Sequence, residues 1–269
     1  MRRVGYQSVG VSLIPLVLMK PTQRFSTRVE NYARYRWDYA DEAIQAACDL
    51  AGLTPASVVA DIGAGTGLLT RHLVERVGRV YAVEPNPDMR RRALQALAEF
   101  PAFVDVEGCA EAIPLPAGVV DLVAVGQALH WFRANEAKSE FLRILKPGGW
   151  LAVFRNYSTD PDYDQALEEL RSPQYGWDTS EENKGPGQPV SFYLGPDGYQ
   201  TLIFPNTAHL AWDSFFGGLC SHSHAPEAGN PLWDRFKQKV REFFERFAED
   251  EVLTVSYATE VCLGQLTPV

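Results

Sequence analysis

Cysteine is scarce and scattered. The chain of 269 residues holds four, Cys48, Cys109, Cys220 and Cys262, and no two form a Cys-x-x-Cys pair. That spacing argues against a disulfide framework and a structural zinc site, and it fits a reducing cytosol better than a secreted context. Basic charge is short as well, with 25 Lys and Arg against 34 Asp and Glu and a formal net charge of −9. A phosphate-backbone partner selects a basic face, and Arg90, Arg91 and Arg92 read as a solvated helix face, so no nucleic-acid partner is expected. No apolar run approaches the about 20 residues of a membrane span. The nearest, residues 11–19, is broken by Pro15 and closed by Lys20. Arg2 and Arg3 ahead of it give a faint signal-peptide outline, but no small-x-small cleavage site follows. Residues 1–24 are therefore read as an unstructured leader, with Met19 as an alternative start, and the protein as cytoplasmic with no membrane partner. Internal repeats and low-complexity tracts are also missing.

What is present is the composition of a globular protein, 46% hydrophobic and 22% charged. At roughly 150 residues per domain the length admits one or two, and a chain this long buries about 70% of its unfolded surface without staples. Short apolar runs at 57–62, 80–83, 103–106, 119–125 and 150–154 read as buried strands. Helical spacing fills 42–51, 66–76, 88–99 and 136–145. Val29, Tyr32, Ala33, Tyr35 and Arg36 give a short aromatic helix before them. Strands alternating with helices mean a parallel sheet with crossover connections, and its fully buried strands read as continuous apolar runs. Residues 172–204 are rich in Gly, Pro, Tyr and Trp with no clear period, which predicts a lid-like insertion. Its aromatics, Tyr175, Trp177, Phe192, Tyr193 and Tyr199, are either ordinary packing or a cover over an apolar substrate. A helix at 232–247 and a period-two segment at 253–263 complete one domain over 25–269.

The strongest local signal is Asp61-Ile-Gly63-Ala-Gly65-Thr-Gly67, where a strand turns into a helix. Glycines there allow close backbone approach to a ligand. A dinucleotide fingerprint runs Gly-x-Gly-x-x-Gly, but Leu68 stands where its third glycine belongs. Asp61 would repel a pyrophosphate and attract a ligand carrying ammonium and sulfonium groups. Glu84, seventeen residues past Gly67 and at the next strand end, suits the hydroxyls of a ribose. Its alternative reading is a helix cap ahead of Pro87.

Residues 59–70 resemble the first motif of class I S-adenosylmethionine-dependent methyltransferases, and 80–89 the motif after it. The segment 109–116 is similar to the one that lines the adenine, and 145–151 to the turn before the fifth strand. Within that family, Gln127-Ala-Leu-His-Trp-Phe132 looks like the small-molecule branch related to trans-aconitate methyltransferases, and Phe25, Tyr32 and Arg36 like that branch's N-terminal helix. The resemblance implies an α/β, Rossmann-like fold with helices on both faces and seven strands. Six are parallel, and the 253–263 segment is the antiparallel last strand at the C-terminal edge. It implies S-adenosyl-L-methionine as cofactor and S-adenosyl-L-homocysteine as product. Asp61, Gly63, Ala64, Gly65 and Gly67 would wrap the methionine part, Glu84 and Pro85 the ribose, and Asn86 and Met89 the adenosine. Ala110 and Glu111 would lie by the adenine, with Gln127 and Ala128 facing the sulfonium. Tyr32, Arg36, His130 and Trp131 would meet a small-molecule substrate, methylated on a carboxylate or hydroxyl oxygen by a monomer or homodimer. Relatives place a proline after the arginine where this chain has Trp37, which bears on the substrate entrance.

His130 is either a general base or a rim-packing residue. His222 and His224 flank Ser223, but no third ligand is near in sequence, so no metal is expected. Two other functions compete: a non-catalytic S-adenosylmethionine-binding partner or sensor, and a dinucleotide-dependent oxidoreductase that the glycine spacing disfavours.

Overall fold

The computed structural model describes residues 28–180 and 185–266. The leader expected over 1–24 and Phe25 lie outside them, as do residues 181–184 of the expected insertion. Helices α1 (Val29–Tyr35) and α2 (Asp41–Leu50) precede β1 (Val58–Ile62). Strands β2 (Arg79–Glu84), β3 (Phe103–Glu107), β4 (Val120–Gly126) and β5 (Leu145–Ser158) follow, then β6 (Gln200–Ala211), β7 (Ala248–Glu249) and β8 (Val252–Gln265). The sheet order is β3-β2-β1-β4-β5-β8-β6, with the two-residue β7 beside β8. The first five strands pair in parallel, and β8 runs antiparallel to both β5 and β6.

The antiparallel strand is thus present as expected, but it sits inside the sheet, and β6 forms the edge. An exposure that alternates along β6, together with Pro205 in its middle, suits an edge strand, where a missing N–H breaks no central ladder.

Period-two alternation within buried strands divides the core between the two faces. Ala60, Ile62, Val123, Val125, Leu151 and Val153 face α5 (Ala134–Ile144), whose Ala137, Phe141 and Ile144 are fully buried. Val59, Leu122, Ala124, Ala152 and Phe154 face α2 and the short α3 (Thr70–Leu73). Each large side chain buried this way stabilises the fold by about 1.5–3 kcal/mol. Helix α4 (Pro87–Leu97) lies against β2 and β3. A third cluster covers the C-terminal half, formed by α6 (Pro161–Leu170), α8 (Trp212–Cys220), α9 (Trp233–Phe247) and the start of β8.

Two expected elements change extent. The helix read over 66–76 is α-helical only at Thr70–Leu73, because the glycine turn extends to its first residue. The strand read over 150–154 runs Leu145–Ser158 and takes in Lys146-Pro-Gly-Gly149, since pairing with β4 resumes past a register shift. The expected insertion holds regular structure too: a 3-10 turn at Pro173–Tyr175, α7 (Val190–Leu194) and the start of β6. Among the described residues no helix is long and apolar enough to cross a membrane.

Candidate functional site

Asp61 is the penultimate residue of β1, within its buried run, and is itself 1% exposed. Its Oδ2 accepts a 2.6 Å hydrogen bond from the Thr70 hydroxyl, while Oδ1 is buried with no partner. Burial pushes this carboxyl up to about 7, opposed by the Thr70 bond and reinforced by the charge of Glu84.

The glycine turn follows at once. Gly63, Gly65 and Gly67 all have positive φ, which glycine adopts without strain. A Cβ at Gly63 would stand 2.7 Å from the Cβ of Ala128, whereas one at Gly65 would meet nothing nearer than Tyr32 at 3.9 Å. The turn is closed on one side and open on the other, which is the shape of a cradle.

Glu84 ties this turn to the end of β2. Its Oε2 accepts from the Gly65 amide and its Oε1 from the Asn86 amide, both at 2.9 Å. Burial raises its pKa and the two backbone donors hold it back. The capping role belongs instead to Asn86, whose side chain accepts from the amides of Asp88 and Met89, with Pro87 at the first helical position. Asn86 is 1% and Met89 3% exposed, so both are packed at the root of α4. Pro85 is half-buried between them and Glu84.

Across the sheet, Gln127 follows β4 directly and is a non-glycine residue at φ 55°. Strain of that kind costs about 1–3 kcal/mol and collects at binding sites. The Gln127 amide donates to the Asn156 carbonyl at 3.2 Å. Asn156 in turn donates to the carbonyls of Trp37 and Asp38, and accepts from Thr259, so β5 and β8 pin the connection between α1 and α2 over the site. Trp37 joins this clasp by packing at a tilt against Tyr257, with ring centroids 4.9 Å apart. Ala110 is buried, and the Glu111 carboxylate accepts from the Arg133 amide at 2.8 Å.

Beside the glycine turn opens a cavity of about 430 Å³. Tyr32, Arg36, Leu68 and Gln127 line its near side, and Arg171 and His222 its far side. Tyr32 and Arg36, assigned to the substrate from sequence, therefore reach it. His130 and Trp131 do not line it: they form a 3-10 turn after β4, with the rings 4.9 Å apart, and His130 is exposed. Surrounding protein, Arg36 and His224 push the His130 imidazole below its ordinary value. None of the five aromatics expected to cover a substrate lines the cavity. Tyr193 stacks on Phe141 in the sheet core, and Trp177 packs in the C-terminal cluster.

Sequence reasoning missed Arg171, at the C-terminus of α6, and read His222 only as half of a metal pair. His222 lies in the turn after α8. Burial, Arg36 and Arg171 hold its imidazole far below the usual value. No motif marks either residue, since neither belongs to the glycine-rich half of the chain.

Residues 60–153 match the methyltransferase domain family. An uncharacterised methyltransferase of Mycobacterium tuberculosis is 44% identical over 135 residues, 49% of this chain and 51% of the relative. One from Geobacillus kaustophilus is 31% identical over 157 residues, 56% of this chain and 70% of the relative. The chain thus spans about half the length of the first of these and more of the second. Among solved structures, the YcgJ protein of Bacillus subtilis superposes with a TM-score of 0.55 at 19% identity, covering 86% of this chain and all of that one. That likeness speaks to the fold.

Proposed function

The chain belongs to the methyltransferase family, and on that premise we propose that it moves a methyl group from S-adenosylmethionine to a carboxylate or hydroxyl oxygen of a small molecule. The observation that carries this reading is the orphaned Oδ1 of Asp61, a buried acceptor beside an open glycine cradle. A buried acceptor without a donor is costly, and the ammonium of a bound amino-acid moiety would satisfy it. Glu84 keeps lone pairs free on both oxygens for ribose hydroxyls, and the Gly65 face leaves room for a ligand backbone. The residues present therefore fit the cofactor.

S-adenosylmethionine, when bound, supplies an electrophilic methyl for in-line displacement. The protein's share is to hold and orient. Asp61 and Glu84 would fix the two ends of the cofactor, and Gln127, strained at the end of β4, would face the reacting centre. Tyr32 and Arg36 would close over the acceptor from α1, with Ala110 and Glu111 at the adenine edge. The likeness of residues 127–132 to the trans-aconitate branch favours an oxygen acceptor in a small molecule over a macromolecular one.

Calorimetric titration with S-adenosylmethionine and with NAD tests the cofactor, and transfer of radiolabelled methyl into a metabolite extract tests the reaction. Binding of S-adenosylmethionine alone, with label in small acids or alcohols, is the expected result. Failure to bind it, or label appearing only in macromolecules, overturns the reading.

A further inference from the structure

The cavity beside the glycine turn is lined by two arginines, Arg36 and Arg171. Elsewhere, partly buried arginines are matched: Arg90 with Asp105, Arg76 with Asp41, Arg143 with Glu140, Arg28 with Glu227. Arg36 and Arg171 have no ion pair among the described residues, and the Nε of each is buried with no hydrogen-bond partner. Aromatic faces hold them in place instead. The Arg36 guanidinium lies 4.8 Å from the Tyr32 ring centroid and that of Arg171 lies 5.7 Å from Trp177. Such contacts fix a guanidinium's plane without using its N–H donors. The two charges also repel one another and both disfavour protonation of His222. Among the described residues that line the cavity Asp164 is the sole carboxylate, and it stands exposed on α6.

Two oriented cations with spare donors around a cavity of about 430 Å³ define an anion site. We infer that the substrate carries a carboxylate held between Arg36 and Arg171, with its methyl-accepting end directed toward Gln127. This rests on the methyltransferase reading and names the substrate class for the same site. Arg36 lies between the two regions, since its charge is felt at Tyr39 and His130 on the cofactor side and at Arg171 and His222 on the far side. A planar carboxylate suits the fork of a guanidinium, and the rings of Tyr32, Trp37 and Phe215 suit the carbon skeleton attached to it.

The test uses the full chain saturated with S-adenosylhomocysteine and titrated with 3-phenylpropionate, glutarate, their amides and phenyl phosphate. At least one acid should bind at least tenfold more tightly than its amide. Arg171→Gln should remove that preference, and Arg171→Lys should keep part of it. Affinity for S-adenosylhomocysteine should stay within threefold of wild type in both variants. Melting of the ligand-free protein gives a second readout. Burial and Arg36 disfavour the Arg171 charge while Tyr163, Glu168 and Asp164 favour it, so the Tm of Arg171→Gln should stay within about 5 °C of wild type. A fall of more than about 5 °C would make Arg171 a structural residue and overturn the inference. So would acids binding no better than amides, or phenyl phosphate binding as well as the carboxylates. If S-adenosylhomocysteine itself fails to bind, the methyltransferase reading falls instead.

Discussion

Asp61 holds its proton to about pH 7 because burial penalises the carboxylate and its Oδ1 finds no donor. In the ligand-free protein, the stability linked to this raised pKa is complete below the ordinary carboxyl value of 3.8 and is lost as pH rises through about 7. An ammonium at Oδ1 favours the ionised form, so binding should expel a proton. Affinity for S-adenosylhomocysteine should therefore climb by at least about tenfold between pH 5.5 and 8 and level off above that. Calorimetry in buffers of different ionisation enthalpy would count the released proton. A pH-independent affinity would remove Asp61 from the site, and Asp61→Asn should flatten the profile. Asp61→Ala should weaken binding by at least tenfold, about 1.4 kcal/mol. Glu84 works on both ligand and loop. In Glu84→Gln one oxygen becomes an amide that faces a backbone N–H, so the Gly65 or Asn86 bond is lost. Affinity for S-adenosylhomocysteine should fall by about 1.5–3 kcal/mol, and the melting temperature should fall with it. His130 is exposed and stands off the cavity wall. His130→Ala should therefore cost less than about tenfold in rate once turnover is measured, whereas a general base would cost about 10²–10⁴.

At the scale of elements, the site depends on how strands end and helices begin. Asn86 accepts two amides at the start of α4, and Asn86→Ala should cost about 1 kcal/mol in urea unfolding. The glycine-rich half was legible in the sequence because each buried strand there is a short apolar run closed by a turn. Asp61, Glu84 and Gln127 stand at those closures. The C-terminal half was less legible for particular reasons. Strand β6 lies at the sheet edge, with one face exposed and the other only half-buried, so no apolar run marks it. Helix α8 carries Gly217 and Gly218, which lower helix propensity. Gly217 earns its place through packing, since a Cβ there would fall 2.3 Å from the Tyr35 ring of α1. Helix α6 was not read from the sequence either, although Asp160 caps it by accepting the amides of Asp162 and Tyr163 and Pro161 stands at the first helical position. Arg171 follows that helix, and only the fold brings it to Arg36.

For the molecule as a whole, three hydrophobic clusters divide the work. Two lie on the faces of the sheet and hold the glycine turn. The third joins α6, α8 and α9 and builds the far wall of the cavity. Cofactor and substrate affinities should then respond to different parts of the core. Phe236 on α9 tests this: it is fully buried, its ring centroid lies 6.1 Å from that of Trp177, and Trp177 carries the Arg171 guanidinium. Phe236→Ala should cost about 3–5 kcal/mol, enough to threaten a fold of ordinary stability. Phe236→Leu keeps most of the volume and should cost about 1–2 kcal/mol in urea unfolding. With Trp177 free to shift, Arg171 loses its fixed plane, so 3-phenylpropionate should bind several-fold more weakly to Phe236→Leu. Affinity for S-adenosylhomocysteine should stay within about twofold, because the strand residues flanking Asp61 and Glu84 belong to the first two clusters. Equal losses for both ligands would mean that the C-terminal layer and the sheet bind as one unit, and that the far wall is not a separate element of recognition.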